Sequence, residues 1–260
     1  MSSHSLKPFE AVLFDMDGVL YIGDSMIAGA DEAVAFTRQS GLALAGVTNT
    51  TTQPRRVIAE KLKRLGIPIE SHEIFTPAAL AKQIIGNEEA KLFVRQALLE
   101  DLDGLNTNTD KPKYIVMGDL GDAGYTPQIL REIFLDVMNG AKVLALHKNR
   151  FWQKNDGLHM DIGPYVSAIE YATNQDATIL GKPSLDFFNE VCRALNVEIS
   201  NTLMIGDDIE SDIAGAIAAN MYTALVKTGK YRAGFVKKTG IRAEYTLDDI
   251  SGLPDLLKNV

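Results

Sequence analysis

Four short, uninterrupted apolar runs, each stopped by a polar residue, constrain this chain more than any other feature of it. Residues 11–14 run into Asp15, 42–47 into Thr48, 177–181 into Lys182 and 202–206 into Asp207. Runs of this length without polar alternation read as strands buried on both faces, the pattern of a parallel sheet covered by helices. Helical spacing of apolar residues appears over 29–39, 54–65, 184–195 and 209–219. Strand then helix, repeated, predicts an α/β fold with a doubly wound parallel sheet. In such a sheet ligands bind where the carboxyl ends of the strands meet the helix N-termini. Two carboxylates, a hydroxyl and an ammonium group are therefore expected in one crevice.

Residues 79–176 are too many for a single crossover helix, so they are expected to form a smaller inserted α/β domain. The core domain then consists of 1–78 and 177–260. Inside the insertion, strands are expected near 92–95, 114–117 and 142–146, and helices near 126–138 and 164–172. Residues 101–112 follow neither period and read as an exposed polar loop. An insertion at this point of the chain suits a lid, with hinges near 77–79 and 176–178.

Net charge is −8 and the cations are scattered, with no run longer than two. No basic stripe is available for a phosphate backbone, which argues against nucleic acid as a partner. The acidic balance also repels anionic ligands at long range, so a phosphate-bearing ligand would need a metal ion or one placed lysine. No apolar stretch approaches the roughly 18 residues needed to span a bilayer. The N-terminal residues 1–8 have no apolar signal region, so a cytoplasmic location is expected. Cys192, the single cysteine, sits in a helical pattern and reads as a small buried thiol.

Asp15-Met16-Asp17-Gly18-Val19 follows the first strand, with two carboxylates two residues apart and a glycine that permits close approach to a ligand. Taken alone, two such acids have a blander reading as caps of the next helix. The fourth run ends in Gly206-Asp207-Asp208-Ile209-Glu210-Ser211-Asp212, which adds carboxylates to the same crevice. Gathered carboxylates raise one another's pKa and oppose folding unless a hard cation neutralises them, and oxygen ligands of this kind suit Mg²⁺. Thr48 and Asn49 add a hydroxyl and an amide, and Lys182, between Gly181 and Pro183, is the local cation. The set fits phosphoryl transfer, in which a protein mainly positions groups and neutralises charge.

Asp15 to Val19, Thr48-Asn49, Gly181-Lys182-Pro183 and Gly206-Asp207-Asp208 with Asp212, in this order, resemble the four motifs of the haloacid dehalogenase superfamily of phosphohydrolases. The continuation Leu20-Tyr21, Gly23, Ile27, Gly29-Ala30 and the long insertion look like its subfamily IIA. That group includes the N-acetylglucosamine-metabolism phosphatase, 4-nitrophenyl phosphatases and pyridoxal phosphate phosphatase. The stretch from His147 through Asp156-Gly157-Leu158 to Gly163-Pro164 and Glu170-Tyr171-Ala172-Thr173 is most similar to phospholysine phosphohistidine inorganic pyrophosphate phosphatases and their hydrolase-like domain-containing relatives.

The resemblance implies a Rossmann-like core with an inserted α/β cap, and Mg²⁺-dependent hydrolysis of a small phosphorylated metabolite through an aspartyl-phosphate. It implies that Asp15 is the nucleophile and a metal ligand, and that Asp17 is general acid and then base, with its backbone carbonyl on the metal. Asp207 would be the remaining ligand, with Asp208 and Asp212 orienting the loop and ligand waters. Thr48, Asn49 and Lys182 would hold the transferring phosphoryl oxygens. Dimerisation through the cap is a further expectation from the subfamily. Many relatives have Thr-Asn-Asn where this chain has Thr48-Asn49-Thr50, which alters what lies beside the phosphate.

A phosphomutase or phosphotransferase would share the nucleophile and the metal. A receiver-like phosphate-binding protein would share the acids, the hydroxyl and the lysine, but would have no use for Asp17 or the insertion. Gly118, Gly121 and Gly124, around Asp119 and Asp122, read as a turn-rich connection, since they depart from the G-x-G-x-x-G pattern. The stretch from His147 to Trp152 reads either as a substrate-reading tip or as an ordinary loop. His4, His72 and His159 have no partners at ligand spacing, and 247–257 reads as a helix on the sheet edge.

Overall fold

A computed structural model describes residues 9–121, 124–154 and 157–259, without the side chains of 151–158. His4 with the rest of 1–8, Asp122 and Asp156 lie outside the described residues. The chain divides into two compact units. One takes the described residues up to Thr48, Arg56–Phe75 and those from Lys182 onward; the other takes Asn49–Arg55 and Thr76–Gly181.

The first unit is built on a six-stranded parallel sheet. Its strands run, edge to edge, Tyr245–Leu247, Tyr222–Val226, Thr202–Gly206, Ala11–Asp15, Ala43–Val47 and Ile74–Phe75. Ala11–Asp15 is central and buried throughout, as expected of an apolar strand with a neighbour on each side. Its register sets Phe14 beside Ile205 and Asp15 beside Val47, so Thr48 and Asp207 leave the sheet at the same edge as Asp15. Val12, Phe14, Leu44, Leu203, Ile205 and Val226 pack with Val34 from helix Ala30–Gln39 and with Ile58 and Leu62 from helix Arg55–Arg64. Helix Leu185–Leu195 buries Phe187, Phe188, Val191 and Cys192 on one stripe. The strands Ile74–Phe75, Tyr222–Val226 and Tyr245–Leu247 complete a sheet of which the sequence pattern revealed only the middle.

The helix expected over 209–219 differs in form. Ile209–Ala214 is a π-helical turn and only Gly215–Ala218 is α-helical. Asp208 caps the turn by accepting from the N–H groups of Glu210 and Ser211, while Asp212 folds its carboxylate back onto the Asp208 N–H. Wide turns of this type are inserted into helices mostly where a side chain must be aimed for function.

The second unit has its own four-stranded parallel sheet, in the order Thr178–Ile179, Lys142–Ala145, Tyr114–Met117, Ala90–Phe93. Helices Pro77–Ile85 and Pro127–Met138 both start from a threonine cap followed by proline, Thr76 and Thr126. Ile133 and Val137, with Val166 and Ile169 of helix Gly163–Thr173, cover Ile115, Met117 and Val143.

Three expectations change here. The run 177–181, read as a strand of the main sheet, supplies only Thr178–Ile179, which pairs with Leu144 and Ala145 of the second sheet. An apolar run reports burial without saying which sheet receives it. The loop 101–112 is not uniformly exposed, because Asp101 and Leu102 are buried and Asp101 Oδ2 accepts the Arg55 N–H at 3.0 Å. His147 is buried, with Nδ1 accepting the Asn149 N–H and Nε2 facing Asp161 Oδ1 at 3.7 Å. Near Gly118 and Gly121 the chain is held by the Arg95–Asp119 ion pair and by the Tyr125 hydroxyl donating to the Gly118 carbonyl at 2.8 Å. No helix among the described residues is long and apolar enough to cross a membrane.

Candidate active site

Asp15 closes the central strand and is buried. Lys182 Nζ lies 2.6 Å from Asp15 Oδ1 and 2.7 Å from Asp212 Oδ1, so one buried ammonium is shared by two buried carboxylates. Asp207, the residue after Thr202–Gly206, brings a third carboxylate: one oxygen from each of Asp15, Asp207 and Asp212 lies within 4.8 Å of the others. Asp207 Oδ2 accepts the backbone N–H of Lys230 at 2.6 Å, and its Oδ1 is buried without a hydrogen-bond partner.

The electrostatics follow from that crowding. Burial pushes the Asp15 carboxyl up to about 7; the Lys182 ammonium opposes this, while Asp212 and Asp207 reinforce it. Asp207 rises to about 6, again chiefly through burial, against the Lys230 N–H and with the help of Asp212 and Asp208. Burial alone would lower Lys182, but Asp15 and Asp212 outweigh it and hold the ammonium well above its ordinary range. At Asp208 burial is opposed by Lys230 and by the Ser211 and Glu210 N–H groups, and the carboxyl ends below its usual range. Three desolvated carboxylates, one with an orphaned oxygen, form the donor set a hard divalent cation coordinates, so the residues present fit such an ion.

Of the residues singled out from the sequence, Asp15, Lys182, Asp207 and Asp212 meet in this cluster. Thr48 is buried one residue beyond Val47, the neighbour of Asp15, and its N–H donates to the Phe75 carbonyl at 3.1 Å. Asp17 lies two residues past the strand, exposed, in a turn whose backbone bridges to Tyr21. Asp208 turns away to cap the π-helical turn and to pair with Lys230 Nζ at 3.2 Å. Asn49 falls by its contacts in the second unit, where a Cβ on Gly181 would come 2.8 Å from its Oδ1.

The loop Thr228-Gly229-Lys230 belongs to this site and was not anticipated. Gly18 and Gly229, at φ +95° and +56°, enclose the Asp207 carboxylate, and a Cβ on either would overlap its Oδ2. The Thr228 hydroxyl donates to the Gly18 carbonyl. A signal existed: Tyr222–Val226 is a fifth apolar run followed by polar residues, Lys227-Thr228-Gly229-Lys230.

Two strand-end aspartates and Asp212, drawn round one buried lysine on a parallel sheet, define an α/β protein with a charged site at the carboxyl ends of its strands. Residues 12–108 match a family of haloacid dehalogenase-like hydrolases, and 179–253 match a second family described as HAD-hydrolase-like. The chain is 39% identical over 229 residues to haloacid dehalogenase-like hydrolase domain-containing protein 2 of Bos taurus, which covers 87% of each chain. It is 34% identical to the phospholysine phosphohistidine inorganic pyrophosphate phosphatase of Homo sapiens, over 97% of this chain and 95% of that one. The fold superposes on the 4-nitrophenylphosphatase of Thermotoga maritima with a TM-score of 0.85 at 20% identity, covering 97% of this chain and 98% of that one. The chain belongs to the haloacid dehalogenase-like hydrolases, in agreement with the resemblance carried by its four motifs.

Proposed function

We propose that this protein is a Mg²⁺-dependent phosphatase that hydrolyses a small phosphorylated metabolite in two steps through Asp15. The observation that carries the reading is the buried Asp15–Lys182–Asp212 arrangement beside the orphaned oxygen of Asp207. A carboxylate nucleophile needs neighbouring cations both to ionise and to tolerate an incoming phosphate, and Lys182 works toward both by opposing the rise that burial imposes on Asp15. Asp15, Asp207 and the backbone carbonyl of Asp17 would hold Mg²⁺, which supplies positive charge against the phosphoryl oxygens when bound.

In the first step the Asp15 carboxylate attacks phosphorus in line, and the carboxyl of Asp17 gives its proton to the leaving oxygen as the P–O bond breaks. Thr48, Asn49 and Lys182 hold the transferring oxygens. In the second step Asp17, now ionised, takes a proton from water as that water attacks the phosphorus of the aspartyl-phosphate, and Asp15 leaves as a carboxylate. Exposure of Asp17 suits a group that must meet both leaving group and water. Asp212 acts through Lys182, and Asp208 through the turn it caps. Relatives named as phosphatases support a small phosphorylated substrate. Phosphate release from a panel of phosphomonoesters and pyrophosphate is expected with Mg²⁺ and not with EDTA; release unaffected by EDTA would refute the metal requirement.

The raised carboxyls give a second expected result. A carboxyl whose pKa is higher in the fold than in the unfolded chain favours folding while protonated, and that contribution is lost as pH rises from the ordinary 3.8 through the folded values of about 6 and 7. The metal-free protein should therefore melt progressively lower between about pH 5 and pH 7.5. Mg²⁺ favours the ionised carboxylates, so the rise in Tm that it produces should be larger at pH 8 than at pH 5. Melting curves at both pH values, with and without Mg²⁺, check this; an equal shift at both would count against a cation held by Asp15 and Asp207.

A further inference from the structure

Asp17 is the one residue of the proposed chemistry whose side chain is exposed rather than fixed in the buried cluster, so something must aim the turn that carries it. Gly18 donates its N–H to the Tyr21 carbonyl at 2.7 Å, and the Leu20 and Tyr21 N–H groups return to the Met16 carbonyl at 2.9 and 3.2 Å. These bonds close the turn on itself. The described contacts that tie it to strand ends other than its own lie on the Gly18 side and come from Asp207, after Thr202–Gly206, and from the loop after Tyr222–Val226.

That tie has three parts. The Gly18 and Gly229 backbones pack directly, since a Cβ on Gly18 would lie 3.1 Å from the Gly229 Cα and one on Gly229 would lie 2.6 Å from the Gly18 Cα. The Asp207 carboxylate sits against both glycines and is held by the Lys230 N–H at 2.6 Å. The Thr228 hydroxyl donates to the Gly18 carbonyl, the acceptor of the peptide unit that follows Gly18. Of these three, only the Thr228 bond depends on a side chain that lies outside the carboxylate cluster. A carbonyl fixed from outside limits rotation of the flanking peptide planes, and the Cα of Asp17 is one residue away.

We propose that Thr228 is a positioning residue for Asp17: its hydroxyl holds the Gly18 carbonyl and thereby keeps the Asp17 carboxyl aimed at the leaving oxygen. The inference rests on the reading of Asp17 as general acid given above. It makes Thr228 matter for protonating the leaving group and not for binding the phosphoryl group or the cation.

The discriminating measurement is how the loss of activity depends on the leaving group. An aryl phosphate that expels a stabilised anion such as 4-nitrophenolate needs little protonation, whereas an alkyl phosphate that expels an alkoxide needs it fully. Thr228→Val removes the hydroxyl and keeps the shape. It is expected to lower kcat/KM for an alkyl phosphate by about ten-fold or more, and for 4-nitrophenyl phosphate by less than about three-fold. Thr228→Ser should restore both to within about three-fold of the original. The Mg²⁺-induced rise in Tm should be the same in all three proteins. Equal losses on both substrates, no loss on either, or a loss that Thr228→Ser fails to restore would overturn the proposal. If Thr228→Val does not fold, Thr228→Ala reads the same contrast. Asp17→Asn, run alongside, separates the two ideas: kcat/KM reports only the steps through departure of the leaving group, so if it too falls equally on both substrates, the general-acid reading itself fails, whatever Thr228 does.

Discussion

Asp15→Asn is expected to lower phosphate release by about 10⁴-fold or more while leaving the protein folded. Asparagine keeps the shape of the side chain and loses the oxygen proposed as nucleophile, so the proposed aspartyl-phosphate could not form. The fold should tolerate the change because Lys182 keeps Asp212, 2.7 Å away, and is not left as an unpaired buried charge. The substitution also relieves repulsion. Asp15, Asp207, Asp208 and Asp212 face the ammonium groups of Lys182 and Lys230, which leaves an excess of negative charge that a divalent cation would balance. Without metal at pH 8, the Asp15→Asn protein should therefore melt at or above the temperature of the unaltered protein, and Mg²⁺ should raise its Tm less. Measuring phosphate release and Tm on the same preparation separates a lost nucleophile from a lost fold. Retained turnover would remove Asp15 from the mechanism.

Lys182→Met is expected to act on both activity and stability. The methionine stem replaces the buried methylenes but leaves Asp15 and Asp212 facing each other, with Asp207 within 4.8 Å and no cation among them. Breaking a buried pair by removing one partner typically costs about 3–5 kcal/mol, because the remaining charge has neither water nor a counter-ion. The loss should be largest at pH 8, where the carboxylates are ionised, and smaller at pH 5, where protonation substitutes for the missing ammonium. Mg²⁺ should recover part of the stability and none of the activity, since a cation among the carboxylates could not also replace the contact proposed between Lys182 and the transferring oxygens. Denaturant titrations at the two pH values, with and without Mg²⁺, check this. A loss that ignored both pH and Mg²⁺ would mean that Lys182 acts by packing alone.

The residues behind these two predictions were legible because they stand where apolar runs stop. An abrupt change from buried strand to Asp15, Lys182 or Asp207 is a one-dimensional signal, and the parallel register turns it into proximity. Asp212 was read into the same crevice, but its direct ion pair with Lys182 was not, because it is set by the π-helical turn that carries Asp212. The run before Lys182 misled as to its sheet, since periodicity carries no record of the strand it will pair with. Backbone parts of the site left the faintest trace. The Lys230 N–H that holds Asp207 carries no residue-type signature, and Gly229 is one glycine among 21 until its positive φ and its contact with Asp207 are known.

The central strand sets an order of events during synthesis. The ion pair of Asp15 with Lys182 spans 167 positions, and Asp207 and Asp212 come later still. A ribosome releases the first aspartate long before the residues that surround it, so a nascent chain carries neither the carboxylate cluster nor the lysine. The sheet of the second unit, drawn from a continuous stretch up to Thr178–Ile179, can close while the central strand of the first still lacks its Thr202–Gly206 neighbour. The cluster thus waits for its last members to be made, and a chain terminated before Lys182 would hold Asp15, the proposed nucleophile, without the ammonium that faces it.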